Sequence, residues 1–301
     1  MSNDSVITPA LTPGVHEFPV DGVRQAYRVA GRGPVCVAHS GGPGLDAAYL
    51  RSPELEEHFT VVYPDPVGTG RSGRLDDPPG EGAGYTRATY VRHLAAVVEH
   101  LGLPRVHLLG HSYGGFVVQD YALEHPERVA GLILYSTAAE AGPAFWGAAM
   151  EGLAAYPQRH PDVPEAARVP AAFQQALGAG DDESISRLFA EALPVYFADF
   201  WSRQPEFAAF RASIRMAQVP ATAPEPVEFD VRDRLGALGG TGMPVVVVTG
   251  QHDFIGGPRW AQALGQAIPG ARLRILQHSG HFGHVEEPGG FARAAALVLG
   301  G

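Results

Sequence analysis

The sequence predicts an α/β fold of the doubly wound kind: a mostly parallel sheet of about eight strands flanked by helices. Three observations predict it. Short apolar runs recur along the 301 residues, bounded by glycine, proline or aspartate. Most of these runs are continuous rather than alternating, which suits strands covered on both faces. Helical patterns fall between them, so strand and helix alternate.

In chain order, HEFPV (16–20) and AYRVAG (26–31) predict an antiparallel hairpin. VCVAH (35–39) and TVVYPD (60–65) are the next strands. Thr86 to Leu101 carries Val91, Leu94, Ala95, Val98 and Leu101 on one side, at helical spacing. RVHLLG (105–110) is a strand, and Tyr113 to Glu124 a helix that stops before Pro126. VAGLILYS (129–136), MPVVVVTG (243–250) and ARLRILQ (271–277) complete the strands. Pro258 to Ile268 opens with a proline, which suits a first helical turn. The last helix is expected from about Phe291 to Leu299.

From 140 to 240 the strand rhythm stops. This stretch is rich in alanine, proline and aromatics and predicts an inserted helical module. The expected organisation is therefore a core of residues 1–139 and 241–301 with a helical lid at 140–240. Pockets form preferentially at domain interfaces, which makes the lid aromatics Trp146, Phe197 and Trp201 candidate substrate contacts.

Composition narrows the chemistry. All 22 basic residues are arginine. Without lysine there is no Walker A phosphate loop, no Schiff base and no pyridoxal-phosphate anchor. The net charge of −10, with no basic block, argues against nucleic-acid or anionic-membrane partners. Cys36 is the only cysteine and falls in an apolar run, as a buried inert thiol does. The first residues show neither a basic start nor a long apolar core, so no signal peptide is expected. No apolar run approaches the ~18 residues of a membrane span. The expected location is cytoplasmic, and no cofactor or metal is expected.

The chemistry centres on LLGHSYGGF (108–116). Gly110-His111-Ser112-Tyr113-Gly114 reads G-x-S-x-G between a predicted strand and a predicted helix, the context of a nucleophile elbow. A tight turn strains the serine backbone but pushes its Oγ clear of the sheet edge. A serine hydroxyl needs a base held by a third group. Folds with this elbow order their triad Ser, then Asp or Glu, then His. Asp253 follows the strand VVVVTG and His281 follows RLRILQ, so both sit where ligands bind, beyond the carboxyl ends of strands. Glu140, after LILYS, is the rival acid. His278 and His284 flank His281, and a metal site is the sharp alternative for the three.

Acyl transfer also needs N–H donors where negative charge develops. Tyr113 supplies one by position. The other is expected from HSGGPG (39–44): Gly42 is the candidate, with Gly41 as fallback donor and substrate contact. A GxGxxG match at Gly68–Gly73 lacks the following helix that a dinucleotide site requires.

HSGGPG, DPVGTGRS, GHSYGG, GQHD and SGHFGHVEEP, in that order, resemble the α/β-hydrolase superfamily over nearly the whole chain. GGPG with DxxGxGxS resembles its proline iminopeptidase branch, whose members remove N-terminal proline from peptides. The resemblance implies Ser112, Asp253 and His281 as a triad, Gly42 and Tyr113 as oxyanion donors, and a small molecule or short peptide as substrate. It also implies lid carboxylates that hold the substrate amine, for which Asp199, Glu191 and Glu206 are candidates. Tyr113 stands where that branch has tryptophan, Val67 where it has arginine, and Ser40 is inserted after His39. An esterase or lactonase, an acyltransferase and a non-catalytic receptor share the constellation and stay open.

Overall fold

The computed structural model describes residues 9–75, 84–219 and 229–300. Eight strands form one sheet: β1 Gly14–Val20, β2 Val23–Gly31, β3 Val35–His39, β4 Thr60–Pro64, β5 Val106–His111, β6 Val129–Tyr135, β7 Val245–Gly250 and β8 Arg272–Leu276. Their spatial order is β1-β2-β4-β3-β5-β6-β7-β8. β1 pairs antiparallel with β2, and β2 with β4; all other pairings are parallel. The β1–β2 turn is Asp21-Gly22, both at positive φ (49° and 81°), as a tight hairpin requires.

The continuous apolar runs are explained by burial on both faces. Every residue of β7 is buried. Helix α1 (Arg87–His100) is capped by Thr86, whose hydroxyl accepts from the Thr89 N–H at 3.2 Å. Helix α2 spans Tyr113–Glu124. Cys36 is fully buried on β3, and burial pushes its thiol pKa up.

Between β6 and β7 lie α3 (Pro143–Ala154), α4 (Val169–Leu177), α5 (Asp182–Ala192) and α6 (Ala208–Ser213). No strand of the sheet falls there among the described residues. The segment is tied back by isolated bridges, Leu45 with Met216 and Glu140 with Asp230. Two helices flank β8: α7 (Pro258–Ala267) and α8 (Pro288–Ala296). The last helix thus begins three residues before the expected Phe291. Pro288 presets the first turn, and burial of Phe291, Ala292, Ala294 and Ala295 outweighs the poor propensity of Gly289 and Gly290. Among the described residues, no helix is long and apolar enough to cross a membrane.

Candidate active site

Ser112 is the single residue between β5 and α2, at φ 54° and ψ −122°, a conformation costly for any residue but glycine. Its N–H donates to the Tyr135 carbonyl at 2.9 Å. The flanking glycines are steric requirements. A Cβ on Gly110 would stand 2.4 Å from Val118 Cγ2, and one on Gly114 2.4 Å from the Ser40 carbonyl oxygen.

Asp253 follows β7 and is buried. Its Oδ1 accepts from the N–H groups of Ile255 (2.9 Å) and Gly256 (3.0 Å). Its Oδ2 lies 2.9 Å from Nδ1 of His281. The carboxylate oxygen accepts, so Nδ1 donates in this bond, and in the neutral imidazole the lone pair is then on Nε2. His281 N–H in turn donates to the Tyr196 carbonyl at 2.6 Å. Ser112 and His281 both line one cavity of about 410 Å³.

The rivals sit elsewhere. Glu140 pairs with Arg232 at 3.3 Å and does not line the cavity. His278 is exposed. His284 is buried with both ring nitrogens engaged, by the Tyr135 hydroxyl (3.0 Å) and the Tyr49 carbonyl (2.9 Å). Among the described residues no group of His, Cys, Asp or Glu is arranged to hold a metal ion. The GTGRSG segment is a structural turn: Asp65 accepts the Ala47 and Arg71 N–H groups, and a Cβ on Gly70 would strike its carboxylate at 2.4 Å.

Of the two glycines proposed near the oxyanion, Gly42 lines the cavity, at φ 120°. Gly41 does not line it. Its N–H donates to the Tyr49 hydroxyl at 2.7 Å, which removes it as fallback donor. Tyr113 opens α2 and lines the cavity. The helix N-terminus brings partial positive charge to that end.

The Tyr49 bond belongs to a chain the sequence did not reveal. Tyr49 Oη lies 2.6 Å from His111 Nδ1, and His111 Nε2 lies 3.0 Å from the His281 carbonyl oxygen. That carbonyl only accepts, so Nε2 carries the proton, Nδ1 accepts from Tyr49, and Tyr49 accepts from Gly41. Burial lowers the His111 pKa well below its ordinary value and keeps the ring neutral. His111 was visible only as the first variable position of the elbow, and Tyr49 stood in no motif.

A second unforeseen residue is Glu286. Its carboxylate accepts from the Ala198 N–H (2.7 Å) and the Gly280 N–H (2.6 Å), joining the inserted segment to the loop before His281. Burial pushes its pKa up to about 7, outweighing these donors.

The lid candidates divide. Trp146 lines the cavity, beside Phe145, Phe173 and Phe189. Phe197 does not: it is 4% exposed and packs among Phe200, Phe207 and Phe210 of its own segment and Phe282 of the loop after β8. Trp201 does not line it either and packs edge-on against Phe200. The proposed amine-holding carboxylates also lie outside it. Glu191 pairs with Arg187 and Arg168, Glu206 with Arg203, and Asp199 with Ser202. No Asp, Glu or Arg is among the described residues lining the cavity.

A family model described as alpha/beta hydrolase fold matches residues 33–288. The chain is 29% identical to 2-hydroxy-6-oxo-2,4-heptadienoate hydrolase of Pseudomonas putida, over 89% of each chain. It is 27% identical to proline iminopeptidase of Lactobacillus crispatus, covering 90% of this chain and 92% of that one. Among solved structures it is similar to Est816, described as an N-acyl homoserine lactone degrading enzyme. That match has a TM-score of 0.65 and 25% identity, covering 95% of this chain and 99% of the other.

Proposed function

The chain belongs to the alpha/beta hydrolase fold family, and from that premise we propose a serine hydrolase that cleaves an uncharged ester, lactone or amide through an acyl-enzyme. The observation that carries the reading is the buried Asp253–His281 pair opening onto the same cavity as the strained Ser112.

In this mechanism, Ser112 Oγ attacks the acyl carbon while its proton passes to His281 Nε2. Gly42 and Tyr113 N–H groups stabilise the oxyanion. The imidazolium then protonates the leaving group as the C–O or C–N bond breaks. Water attacks the acyl-enzyme, giving its proton to Nε2, and Ser112 is regenerated as the acid departs. Asp253 holds the ring and stabilises its charged form. Residues 140–240 act as a lid that excludes water from the acyl group.

The lining favours a neutral substrate. A buried ion without a partner is costly, and the lining offers neither a carboxylate for an ammonium group nor an arginine for a carboxylate among the described residues. A cavity of this kind suits a small ester or lactone. The aminopeptidase reading is supported by GGPG, DxxGxGxS and the Lactobacillus relative.

The test is covalent labelling by a fluorophosphonate, expected in the parent and absent in Ser112→Ala. Persistent labelling of Ser112→Ala would reject Ser112 as nucleophile. Turnover of p-nitrophenyl butyrate well above proline p-nitroanilide is expected; the reverse ranking would establish the peptidase.

A further inference from the structure

The cavity has a direction. Its reactive end is at His281, whose ring lies 5.5 Å from that of Tyr196 between centroids. Tyr196 in turn stands 5.3 Å from Phe189 of α5 and 6.4 Å from Phe173 of α4. All four rings belong to residues that line the cavity. From this level each helix carries the lining one turn further. On α4, Phe173, Ala176 and Leu177 line it, at i, i+3 and i+4; on α5, Phe189 and Ile185 do, four residues apart. One helical turn is about 6 Å. α4 and α5 pack together and are joined by residues 178–181, as in an αα-hairpin. Leu177 and Ile185 therefore stand at the same, outer end.

That outer end reaches solvent. Leu177 is 76% exposed, the most of any large apolar side chain among the described residues. A lone exposed leucine needs no explanation. Leu177 differs because it continues the lining of a cavity that holds Ser112. The helices are not short of polar residues, but Gln174 and Gln175 on α4 and Ser184 and Arg187 on α5 all lie off the cavity. The two helices thus give it apolar side chains alone, from buried Phe173 and Phe189 to exposed Leu177.

We propose that the α4–α5 hairpin is the subsite for an extended apolar tail of the substrate, which runs from the scissile bond past Tyr196 toward Leu177. The inference rests on the hydrolase reading and narrows its substrate class to esters or lactones that carry an alkyl chain in the acyl or alcohol part. Water in an apolar trough finds no partner there, and a chain that displaces it takes its own surface and that of Leu177 out of solvent. Full burial of one methylene is worth about fourfold in binding. A trough open at its outer end gives less per methylene. It also sets no sharp upper limit on chain length, because a longer tail passes out beside Leu177.

Two ester series test this, each at concentrations where the ester is monomeric. One lengthens the acyl part: p-nitrophenyl butyrate, hexanoate and octanoate. The other lengthens the alcohol: butyl, hexyl and octyl butyrate. Each kcat/KM is divided by the rate of hydroxide hydrolysis, to remove intrinsic reactivity. In at least one series the parent should prefer the longest member over the shortest by on the order of tenfold; which series shows it assigns the tail to the acyl or the alcohol part. In Leu177→Gln or Ile185→Gln that preference should fall by about threefold or more. It is a ratio within one variant, so loss of folded protein cancels. Leu299 is 40% exposed and does not line the cavity, so Leu299→Gln should keep the parent ratio. A parent ratio near one in both series, a ratio that survives in both hairpin variants, or an equal fall in Leu299→Gln overturns the subsite. Fluorophosphonate labelling of Ser112 separates the two failures. Labelling without a chain-length preference removes only the subsite, whereas no labelling removes the hydrolase reading itself.

Discussion

The backbone N–H of His281 donates to the carbonyl oxygen of Tyr196 at 2.6 Å, so the loop after β8 and the inserted helical segment are joined backbone to backbone. Glu286 doubles the joint through Ala198 and Gly280. The position of the proposed base is thus set from two sides, by Asp253 on its ring and by the inserted segment on its main chain.

Replacing Glu286 with alanine should leave the Ala198 and Gly280 amides without an acceptor. The expected cost is about 2–3 kcal/mol, the scale for buried donors left unpaired. Calorimetry would read it as a lower Tm. Because Gly280 adjoins His281, kcat should fall as well, and Glu286→Gln should recover part of both losses.

Acid stability follows from buried histidines. Burial lowers His39, His93 and His284 from 6.5 to about 4. Below pH 6.5 the unfolded chain takes up protons that the folded chain refuses, so stability is lost as pH falls from 6.5 toward 4. Each histidine accounts for about 3 kcal/mol over that window. Glu286 has the opposite sign. With its pKa raised to about 7, its contribution is fully present below 4.5 and is lost as pH rises through 7. Glu286→Gln should therefore lose stability more steeply than the parent on acidification from pH 7 to 4.5. Urea midpoints across that range would check it; parallel curves would refute it.

Asp253→Asn should fold. Its side-chain oxygen can still accept from Ile255 and Gly256. The amide would instead present a donor to Nδ1 and favour the wrong ring tautomer. The expected loss in kcat is on the order of 10⁴-fold, the scale of such a change in a Ser-His-Asp triad. Steady-state kinetics with p-nitrophenyl butyrate, alongside an unchanged circular dichroism spectrum, is the measurement.

Tyr49→Phe breaks the chain from Gly41 to His111 at its middle. It leaves the Gly41 N–H and His111 Nδ1 unpaired in a buried place. About 2 kcal/mol of stability should be lost. Gly41 adjoins Gly42, so acylation should slow more than deacylated-enzyme binding weakens. Stopped-flow burst rates and inhibitor affinities would separate the two effects.

Much of the architecture was legible because it obeys local rules. β3 runs over Val35–His39 and α2 over Tyr113–Glu124, the bounds that apolar continuity and the proline stop indicate. The start of the last helix was missed because Gly289 and Gly290 argue locally against helix, while burial of Phe291 and its neighbours argues for it.

The site divides along the same line. Sequence alone determined that Ser112 occupies a strained corner between strand and helix, because glycine spacing and an apolar strand state a steric requirement within a few residues. It also determined that Asp253 and His281 follow successive strands. Only the tertiary structure decided that Trp146 faces the cavity while Phe197 and Trp201 do not. It alone committed the Gly41 amide to Tyr49 and set Glu286 between two loops. Those outcomes depend on which surfaces meet across long stretches of chain, and the orientation of one helix against another is fixed by the sum of many packing contacts rather than by any short motif.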